Sequence, residues 1–484
     1  MNFLNKDLWE NNFFNGCWMN ARHTFTAKEV ATQKIIGTFG QATSDDVNES
    51  SLMAKKAQAQ WMELSFHDRA KIFEKAVYIA EQNAEEIVDW LIQESGSLRL
   101  KAQFELQLTI QTLRNSVRLP SSDQGVLLPT SNHKLSMAKR LPLGTIGVIA
   151  PFNFPLYLAI RSVAPALALG NAVILKPHEA TAVCSGFVIA RIFELAGLPQ
   201  GLLHVLPGDA EVGEAITLHP NIAGIHFTGS TAVGRIIGAN AGRMLKKVSL
   251  ELGGKNALII LEDADPDIAA ENIAWGAFLH SGQICMTAGN ILIHKNIYDT
   301  VKEKLIAKVQ NFVVGDPMQE NTTIGPLIDA KQSLRVENLV QKAIQAGAEL
   351  VIGGKANGVF FEPTILSDVG SDNPIFSEEI FGPVAVLTPF SDEKELLELA
   401  NTSEYGLAAG IITSDIAQGM KIGKSLNVGL LHINDQTVND ETVNPFGGMG
   451  ASGNGTRIGG PANIDEFTQW QWVTVQAQAP HYPF

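Results

Sequence analysis

Short apolar runs alternate with amphipathic segments over most of the chain. The first block contains predicted strands at residues 145–150, 171–175, 202–205, 222–227 and 257–261, and predicted helices at residues 185–196 and 231–241. A second block contains predicted strands near residues 291–294, 384–388 and 410–412, and predicted helices near residues 332–346 and 393–400. This alternation predicts two α/β domains, each a parallel sheet with helices on both faces, that meet near Gly253 and Gly254.

The first 140 residues or so follow other patterns. Residues 51–97 have helical periodicity, and Ser65 followed by Asp68 forms a capping-box sequence. Residues 120–139 begin with turn residues and continue with short apolar runs, which predicts a hairpin that extends from the body of the protein.

Composition narrows the class of protein. The 484 residues are enough for two or three domains, and 45% hydrophobic and 18% charged residues are typical of an enzyme rather than a disordered or coiled-coil protein. The formal charge of -14, without a Lys/Arg cluster beyond short pairs, argues against a nucleic-acid partner.

Membrane insertion and export are not expected either. Two uncharged runs, residues 141–160 and 272–294, contain Pro, Asn, His, Ser or Gln residues that a membrane span would disfavour. Charged residues interrupt the N-terminal region where a signal peptide needs an apolar core. Cys17, Cys184 and Cys285 are too few and too scattered for a disulfide framework or a CxxC metal site. We therefore expect a cytoplasmic protein without a metal.

The sequence HSGQICMTA, residues 280–288, contains the candidate nucleophile. Cys285 follows Ser281 and Gly282, a pair expected to be flexible on an otherwise apolar background. Taken alone, a buried structural cysteine is the more frequent explanation of such a residue, and a reactive thiol is the alternative.

Two motifs indicate a nucleotide site. FTGSTAVG, residues 227–234, follows a strand and opens a helix, so its N–H groups could bind a phosphate or merely form a tight turn. It is neither GxGxxG nor a P-loop. ILKPHEAT, residues 174–181, ends a strand with Lys176 and Glu179, which could hold ribose hydroxyls and repel a 2′-phosphate, or form a solvated charge pair.

Two further residues have the chemistry of catalytic groups. Glu251, in LELGGKN, lies between two leucines, where desolvation would raise its pKa and suit a general base, unless a lysine pairs with it. Asn153, in APFNFP, could donate to a developing oxyanion or merely satisfy a turn.

Together these motifs resemble the aldehyde dehydrogenase superfamily. APFNFP, ILKP, FTGSTAVG, LELGGKN, GQIC, EEIFGPV and NPFGGMGASG occur in the same order and at about the same separations. RSVAPALALGNAVILKP, HSGQIC and HINDQ are most similar to the NAD-dependent benzaldehyde dehydrogenase branch. The resemblance implies a doubly wound NAD-binding domain (residues 1–119 and 142–253), an α/β catalytic domain (254–465) and a small β bridging element (120–141 and 466–484). It also implies a homodimer or a homotetramer, because the bridging element pairs subunits in the family.

The resemblance also assigns roles to residues. Cys285 matches the nucleophile, Glu251 the base that activates the hydrolytic water, and Asn153 the side-chain donor to the oxyanion. The positions that match the family's NAD site, with Glu179 favouring NAD over NADP, are Lys176, Glu179, Gly229, Ser230, Thr231, Ala232, Val233, Gly234, Glu379 and Phe381. Phe154 and Phe446 match the lining of the aldehyde tunnel, and Phe152 replaces a tryptophan found in many members.

The activity implied is NAD-dependent oxidation of a benzaldehyde-type aldehyde to the carboxylic acid, through a cysteine thiohemiacetal and a thioester. Medium-chain aliphatic or substituted aromatic aldehydes, of the salicylaldehyde or vanillin type, are alternative substrates. A CoA-acylating dehydrogenase is a rival activity, but Glu251 favours water as the acyl acceptor. A third possibility is a non-catalytic relative. The presence of Cys285, Glu251 and Asn153 at the three catalytic positions argues against it.

Overall fold

The structure, a computed structural model, describes residues 3–131 and 134–484. Its helices are α1 Lys6–Trp9, α2 Ser44–Glu63, α3 Phe66–Gln82, α4 Ala84–Ser95, α5 Arg99–Arg118, α6 Pro155–Ala168, α7 Val188–Ala196, α8 Ala210–Leu218, α9 Thr231–Arg243, α10 Pro266–Phe278, α11 Tyr298–Val309, α12 Ala330–Gln345, α13 Pro374–Ser377, α14 Glu393–Ala400, α15 Ile416–Gly423 and α16 Ala462–Phe467.

The strands are β1 Asn12–Asn15, β2 Trp18–Asn20, β3 His23–Lys28, β4 Ile35–Gln41, β5 Gly125–Leu127, β6 Leu135–Pro142, β7 Thr145–Ile149, β8 Ala172–Lys176, β9 Leu203–Val205, β10 Ile222–Thr228, β11 Lys247–Glu251, β12 Asn256–Ile260, β13 Ala288–His294, β14 Glu349–Ile352, β15 Ala356–Asn357, β16 Phe360–Phe361, β17 Thr364–Ser367, β18 Val384–Phe390, β19 Tyr405–Gly406, β20 Ala408–Ile412, β21 Leu430–Ile433, β22 Met449–Gly450 and β23 Thr468–Val475. The strands and helices predicted after residue 144 are confirmed, with ends that differ by a few residues.

The first large sheet has the strand order β11-β10-β7-β8-β9-β1-β2. The five strands from β11 to β9 pair in parallel, and β1 and β2 add an antiparallel edge. Ile146 and Val148 pack into one hydrophobic cluster and Ile149 and Ile225 into another, so the sheet is covered on both faces. Because the chain leaves β7 towards β8 on one side and returns to β10 on the other, this sheet has its topological switch point between β7 and β10.

The second large sheet has the order β14-β17-β18-β13-β12-β20-β21 and is parallel except for the edge strand β14. Neighbouring residues of β12 point to opposite faces: Ile259 packs into one cluster, and Leu258 and Ile260 pack into the other. Both faces are therefore buried, as a doubly wound parallel sheet requires. The chain passes from the first sheet to the second between Glu251 and Asn256.

A third sheet joins the two ends of the predicted bridging element. β6 pairs antiparallel with β5 and with β23, so the predicted hairpin is confirmed and the C-terminal strand lies beside it. Residues 132 and 133, inside this hairpin, lie outside the described residues. Trp472 on β23 is 72% exposed and Leu127 on β5 is 76% exposed. The exact boundaries of the three domains stay a prediction.

Within the described ranges, no helix is long and apolar enough to cross a membrane. The uncharged run at residues 141–160 is instead β7, a turn and the start of α6, as predicted. The run at residues 272–294 contains α10, a short helical turn and β13.

Candidate active site

A cleft of about 500 Å³ opens at the carboxyl ends of the first sheet's strands, which is where parallel α/β sheets bind ligands. Lys176 ends β8, Asn153 follows β7, Gly229 follows β10 and Glu251 ends β11. Cys285, which precedes β13 of the second sheet, lines the same cleft. The predicted site residues that line it are Asn153, Lys176, Gly229, Ser230, Val233, Glu251, Cys285, Glu379 and Phe381.

A strained turn at residues 280–282 precedes Cys285 and places it at the cleft. His280, Ser281 and Gly282 have consecutive positive φ angles of 50°, 54° and 68°, a conformation that is unfavourable for the first two side chains. At Gly282 a Cβ atom would lie 2.1 Å from the carbonyl oxygen of Gly382, so this position requires glycine.

The turn is buried and held by hydrogen bonds, in contrast to the flexible pair expected from the sequence. Ser281 is 2% exposed, and its hydroxyl donates to the carbonyl of Gly325 at 2.8 Å. The Gln283 side chain donates to the carbonyl of Pro326 at 3.2 Å and accepts the N–H of Ile328 at 2.9 Å. These hydrogen bonds hold the turn in its strained conformation, because a strained segment persists only when its surroundings stabilise it.

The carbonyl group of Cys285 is fixed from the opposite side. The Asn256 side chain donates to it at 2.8 Å, and to the carbonyl of Thr287 at the same distance. A Cβ atom on Gly254 would lie 2.4 Å from the Cys285 oxygen, so the glycine of LELGGKN permits this close approach. The thiol is therefore carried by a backbone that has little freedom to move.

The electrostatic environment keeps the thiol protonated. Burial raises the pKa of the Cys285 thiol to about 12, and the carboxylates of Glu379 and Glu251 act in the same direction. The guanidinium of Arg161 lowers the pKa of this thiol. Cys285 thus needs activation, by a base or by added positive charge, before it acts as a nucleophile.

Glu251 is a buried carboxyl group without a partner. It is 7% exposed, and neither carboxylate oxygen has a hydrogen-bond partner among the described residues. Burial raises its pKa to about 8, and Arg161, the strongest opposing influence, lowers it. The pairing with lysine considered from the sequence is absent from the described structure, and the predicted desolvation is confirmed.

The Asn153 amide lies next to the cysteine turn. It is 3% exposed, and its Nδ2 donates to the carbonyl of Gln283 at 2.9 Å. An amide nitrogen carries two N–H groups, so this bond leaves the second available to a ligand. The backbone carbonyl of Asn153 accepts a hydrogen bond from Lys101 Nζ at 2.6 Å.

One end of the cleft has groups that could hold the adenosine and the phosphates of a dinucleotide. Lys176 is 8% exposed, and Glu179, further along the same loop, has a half-exposed carboxylate near His178. Ser230 caps the 13-residue helix α9, whose first N–H groups and positive dipole end favour a phosphate. Thr231, Ala232 and Gly234 belong to the first turn of this helix; Thr231 donates to the carbonyl of Ala451.

The other end of the cleft is formed by the EEIFGP loop. Glu379 accepts the N–H of Gly254 at 3.0 Å, and Phe381 stands edge-on to Phe152 at 5.8 Å between ring centroids. Arg335 on α12 donates to the backbone carbonyls of Glu379 and Ile380. A carboxylate beside an aromatic ring is suitable for a ribose hydroxyl and a nicotinamide ring.

The two predicted tunnel residues occupy different surroundings. Phe446 lines a small, partly open cavity of about 20 Å³ together with Arg161, Glu251 and Cys285, which is room for about one water molecule. Phe154 is buried, with its ring centroid 4.0 Å from Lys101 Nζ and 6.0 Å from the His280 ring. Their contact with an aldehyde stays a prediction.

A buried ion pair that the sequence did not reveal borders the small cavity. Arg161 donates to Asp440 at 2.8 Å and stacks over the Phe446 ring at 4.3 Å, and Tyr157 donates to the same carboxylate at 2.9 Å. The sequence contained a signal for this, since Arg161 is the only charged residue between Arg140 and Lys176. Its partner could not be identified, because Asp440 lies 279 positions away.

Three more residues, which line the cleft or contact one of its lining residues, were not predicted from the sequence. His178 and Arg335 line the cleft, and Lys101 contacts the backbone of Asn153. His178 could have been found, because it lies inside the ILKPHEAT motif; the other two lie on helices whose periodicity is ordinary. In the part of the chain that the structure describes, no cluster of three or more His, Cys, Asp or Glu side chains could hold a metal ion.

Comparisons with known proteins show the family of the chain. Residues 18–473 match the model of the "Aldehyde dehydrogenase family". A vanillin dehydrogenase of an Amycolatopsis species is 47% identical over 486 residues, covering 100% of both chains, and a benzaldehyde dehydrogenase [NAD(+)] of Pseudomonas putida is 47% identical over 479 residues, covering 99% of this chain and 98% of that one. The NAD⁺ complex of an aldehyde dehydrogenase from Bacillus cereus superposes with a TM-score of 0.94, at 33% identity and 98% coverage of each chain. The chain therefore belongs to the aldehyde dehydrogenase family.

Proposed function

We propose that the protein oxidises aromatic aldehydes to carboxylic acids with NAD as the hydride acceptor. The observation that carries the proposal is the cleft in which Cys285, Glu251 and Asn153 meet beside Lys176 and the start of α9. NAD supplies the hydride acceptor when bound, and the reaction consumes one aldehyde, one NAD⁺ and one water and yields one acid, one NADH and one proton.

Cys285, Asn153 and Glu251 have different roles in the proposed reaction. Cys285, once deprotonated, adds to the aldehyde carbon to give a thiohemiacetal, and the Asn153 amide and the Cys285 N–H donate to its oxygen. Loss of the hydride from that carbon leaves a thioester on Cys285. Glu251 then takes a proton from a water that attacks the thioester carbon, which releases the acid and the Cys285 thiolate, and the proton passes from Glu251 to solvent.

Water as the acyl acceptor is supported by the small cavity beside the thiol. It has a volume of about 20 Å³, which is room for about one water, and it is lined by both Cys285 and Glu251. The unpartnered carboxylate of Glu251 is free to accept the proton of that water. These features favour hydrolysis over CoA acylation.

The aromatic preference is supported by the two 47% identical relatives, whose names specify vanillin and benzaldehyde. Phe446, stacked on Arg161, offers an aromatic face near the thiol. An unsubstituted ring or one with hydroxyl and methoxy groups is therefore the preferred substrate class, and medium-chain aliphatic aldehydes are the alternative.

The test is the initial rate of NADH formation with benzaldehyde, vanillin, salicylaldehyde and hexanal, each with NAD and with NADP. An aromatic aldehyde with NAD should give the highest kcat/KM. A Glu179→Gln variant should improve the relative use of NADP, because the carboxylate that repels a 2′-phosphate is removed. A preference of the wild-type protein for hexanal, or for NADP, would contradict the substrate or the cofactor assignment respectively.

The proposal extends to assembly and location. The exposed Trp472 and Leu127 on the third sheet support a subunit contact there, and with it a homodimer or a tetramer built from dimers. The three cysteines are free thiols, which supports a reducing, cytoplasmic location.

A further inference from the structure

Helix α5 carries a buried ion pair directly below the Asn153 segment. The Lys101 and Glu105 side chains are 1% and 0% exposed, and Lys101 Nζ lies 2.6 Å from Glu105 Oε2. The same Nζ donates to the backbone carbonyl of Asn153, also at 2.6 Å, and lies 4.0 Å from the ring centroid of Phe154. The ammonium group thus contacts two consecutive residues of the APFNFP motif.

The second oxygen of Glu105 contacts the next residues of the same segment. Its Oε1 accepts the N–H of Leu156 at 2.8 Å and of Tyr157 at 3.1 Å. These N–H groups belong to the first turn of α6, which has no side-chain cap of its own at Phe154. Glu105 therefore supplies from α5 the cap that the sequence before α6 does not provide.

Stability alone gives no reason for charged residues here. Removing two charges from water is expensive, and well-packed apolar side chains of the same volume often stabilise a protein as much or more. What an apolar pair could not do is make the three hydrogen bonds that fix Asn153, Leu156 and Tyr157.

We propose that Lys101 and Glu105 are positioning residues that set the orientation of the Asn153 amide towards the oxyanion. Lys101 holds the backbone of Asn153, while the carbonyl of Gln283, in the cysteine turn, holds its side-chain amide at 2.9 Å. Asn153 is therefore held at its backbone carbonyl and at its side-chain amide, in the cleft that Cys285 also lines. This inference rests on the proposed function, in which Asn153 donates to the reacting oxygen.

Positioning of this kind has a large kinetic effect. A donor to an oxyanion works only when it is held in place before the charge develops. A misplacement of about 1 Å can reduce the rate by about 100-fold. Loss of the Lys101 bond should accordingly slow the formation of the first NADH and leave the binding of NAD nearly unchanged.

The experiment measures the pre-steady-state burst of NADH in the purified full-length protein. Lys101→Met should reduce the burst rate roughly 10- to 100-fold, and the KM for NAD should change less than about twofold. Thr112→Val is the matched control: Thr112 is buried on the same helix, donates only within it, to the carbonyl of Leu108, and should leave the burst rate unchanged.

Because Lys101→Met leaves Glu105 buried without its partner, a second variant separates folding from positioning. Lys101→Met with Glu105→Gln removes both charges and should recover the thermal stability but not the burst rate. Recovery of both would overturn the inference, since the tether to Asn153 would then be dispensable.

A double-mutant cycle with Asn153→Ala tests whether Lys101 acts through Asn153. Lys101→Met should have little further effect on the burst rate in the Asn153→Ala background, and additive effects would overturn the inference. Failure of the proposed function is distinguishable, because the wild-type protein would then form no NADH with any aldehyde, in the burst or in the steady state.

Discussion

Glu105 and Glu251 are both buried glutamates, and their surroundings are opposite. Each oxygen of Glu105 has a partner, Lys101 on one side and the N–H groups of α6 on the other. Neither oxygen of Glu251 has one among the described residues. A carboxylate that supports a fold is paired and hydrogen-bonded, whereas one that must accept a proton during a reaction is left with its oxygens available. The surroundings of the two glutamates thus fit the roles proposed for them, structural support for Glu105 and proton transfer for Glu251.

The largest expected effect is on turnover at Glu251. Glu251→Gln keeps the shape and burial but cannot accept a proton, so steady-state turnover should fall about 10²- to 10⁴-fold. A burst of NADH of about one per active site should persist, because thioester formation precedes hydrolysis. Rapid-mixing measurement of the burst followed by the steady state checks this. Unimpaired turnover would remove Glu251 from the role of base and thereby break the comparison.

The second effect is on stability, and it should differ between the two glutamates. Glu105→Gln leaves the Lys101 ammonium buried without its counter-charge and should lower the free energy of unfolding by about 3–5 kcal/mol. Glu251→Gln breaks no ion pair or hydrogen bond among the described residues, so it should not cause a loss of this kind. Urea unfolding at pH 8.5, a pH above the value of about 8 to which burial raises the pKa of Glu251, measures both variants.

The pKa of Glu251 determines whether its contribution to stability rises or falls with pH. Burial raises that pKa from 4.5 to about 8, so between these values the folded state binds a proton that the unfolded state has lost, and stability falls as pH rises through this window. Glu251→Gln lacks this loss and should be at least as stable as the wild-type protein at pH 8.5. A loss of stability as large as that of Glu105→Gln would contradict the description of Glu251 as unpartnered.

The smallest effect concerns the pH dependence of hydrolysis. When hydrolysis limits turnover, kcat should increase with pH through about 8 as Glu251 loses its proton. Arg161→Met removes the charge that lowers this pKa and should move the profile to higher pH. Asp440→Asn removes a charge that raises it and should move the profile to lower pH. Shifts in the same direction would contradict this account, and circular dichroism controls for folding.

Sequence patterns predicted most of the fold and the chemical groups of the site. The apolar runs of β7, β8, β10 and β12 are buried strands, as their composition indicated, and Glu251 is desolvated as its leucine neighbours predicted. Lys101 could not be linked to Asn153, because the two residues lie 52 positions apart and no local pattern pairs them. Nor could the strain of the cysteine turn be predicted: two consecutive non-glycine residues, His280 and Ser281, have positive φ angles, and no local pattern requires this conformation.

The small cavity and the large cleft share Cys285 and Glu251 in their linings. The small cavity has room for about one water molecule, and in the proposed reaction each hydrolysis incorporates one water into the departing acid. Water is therefore a stoichiometric reagent of the proposed cycle as well as its solvent, and the adjoining cleft can supply it.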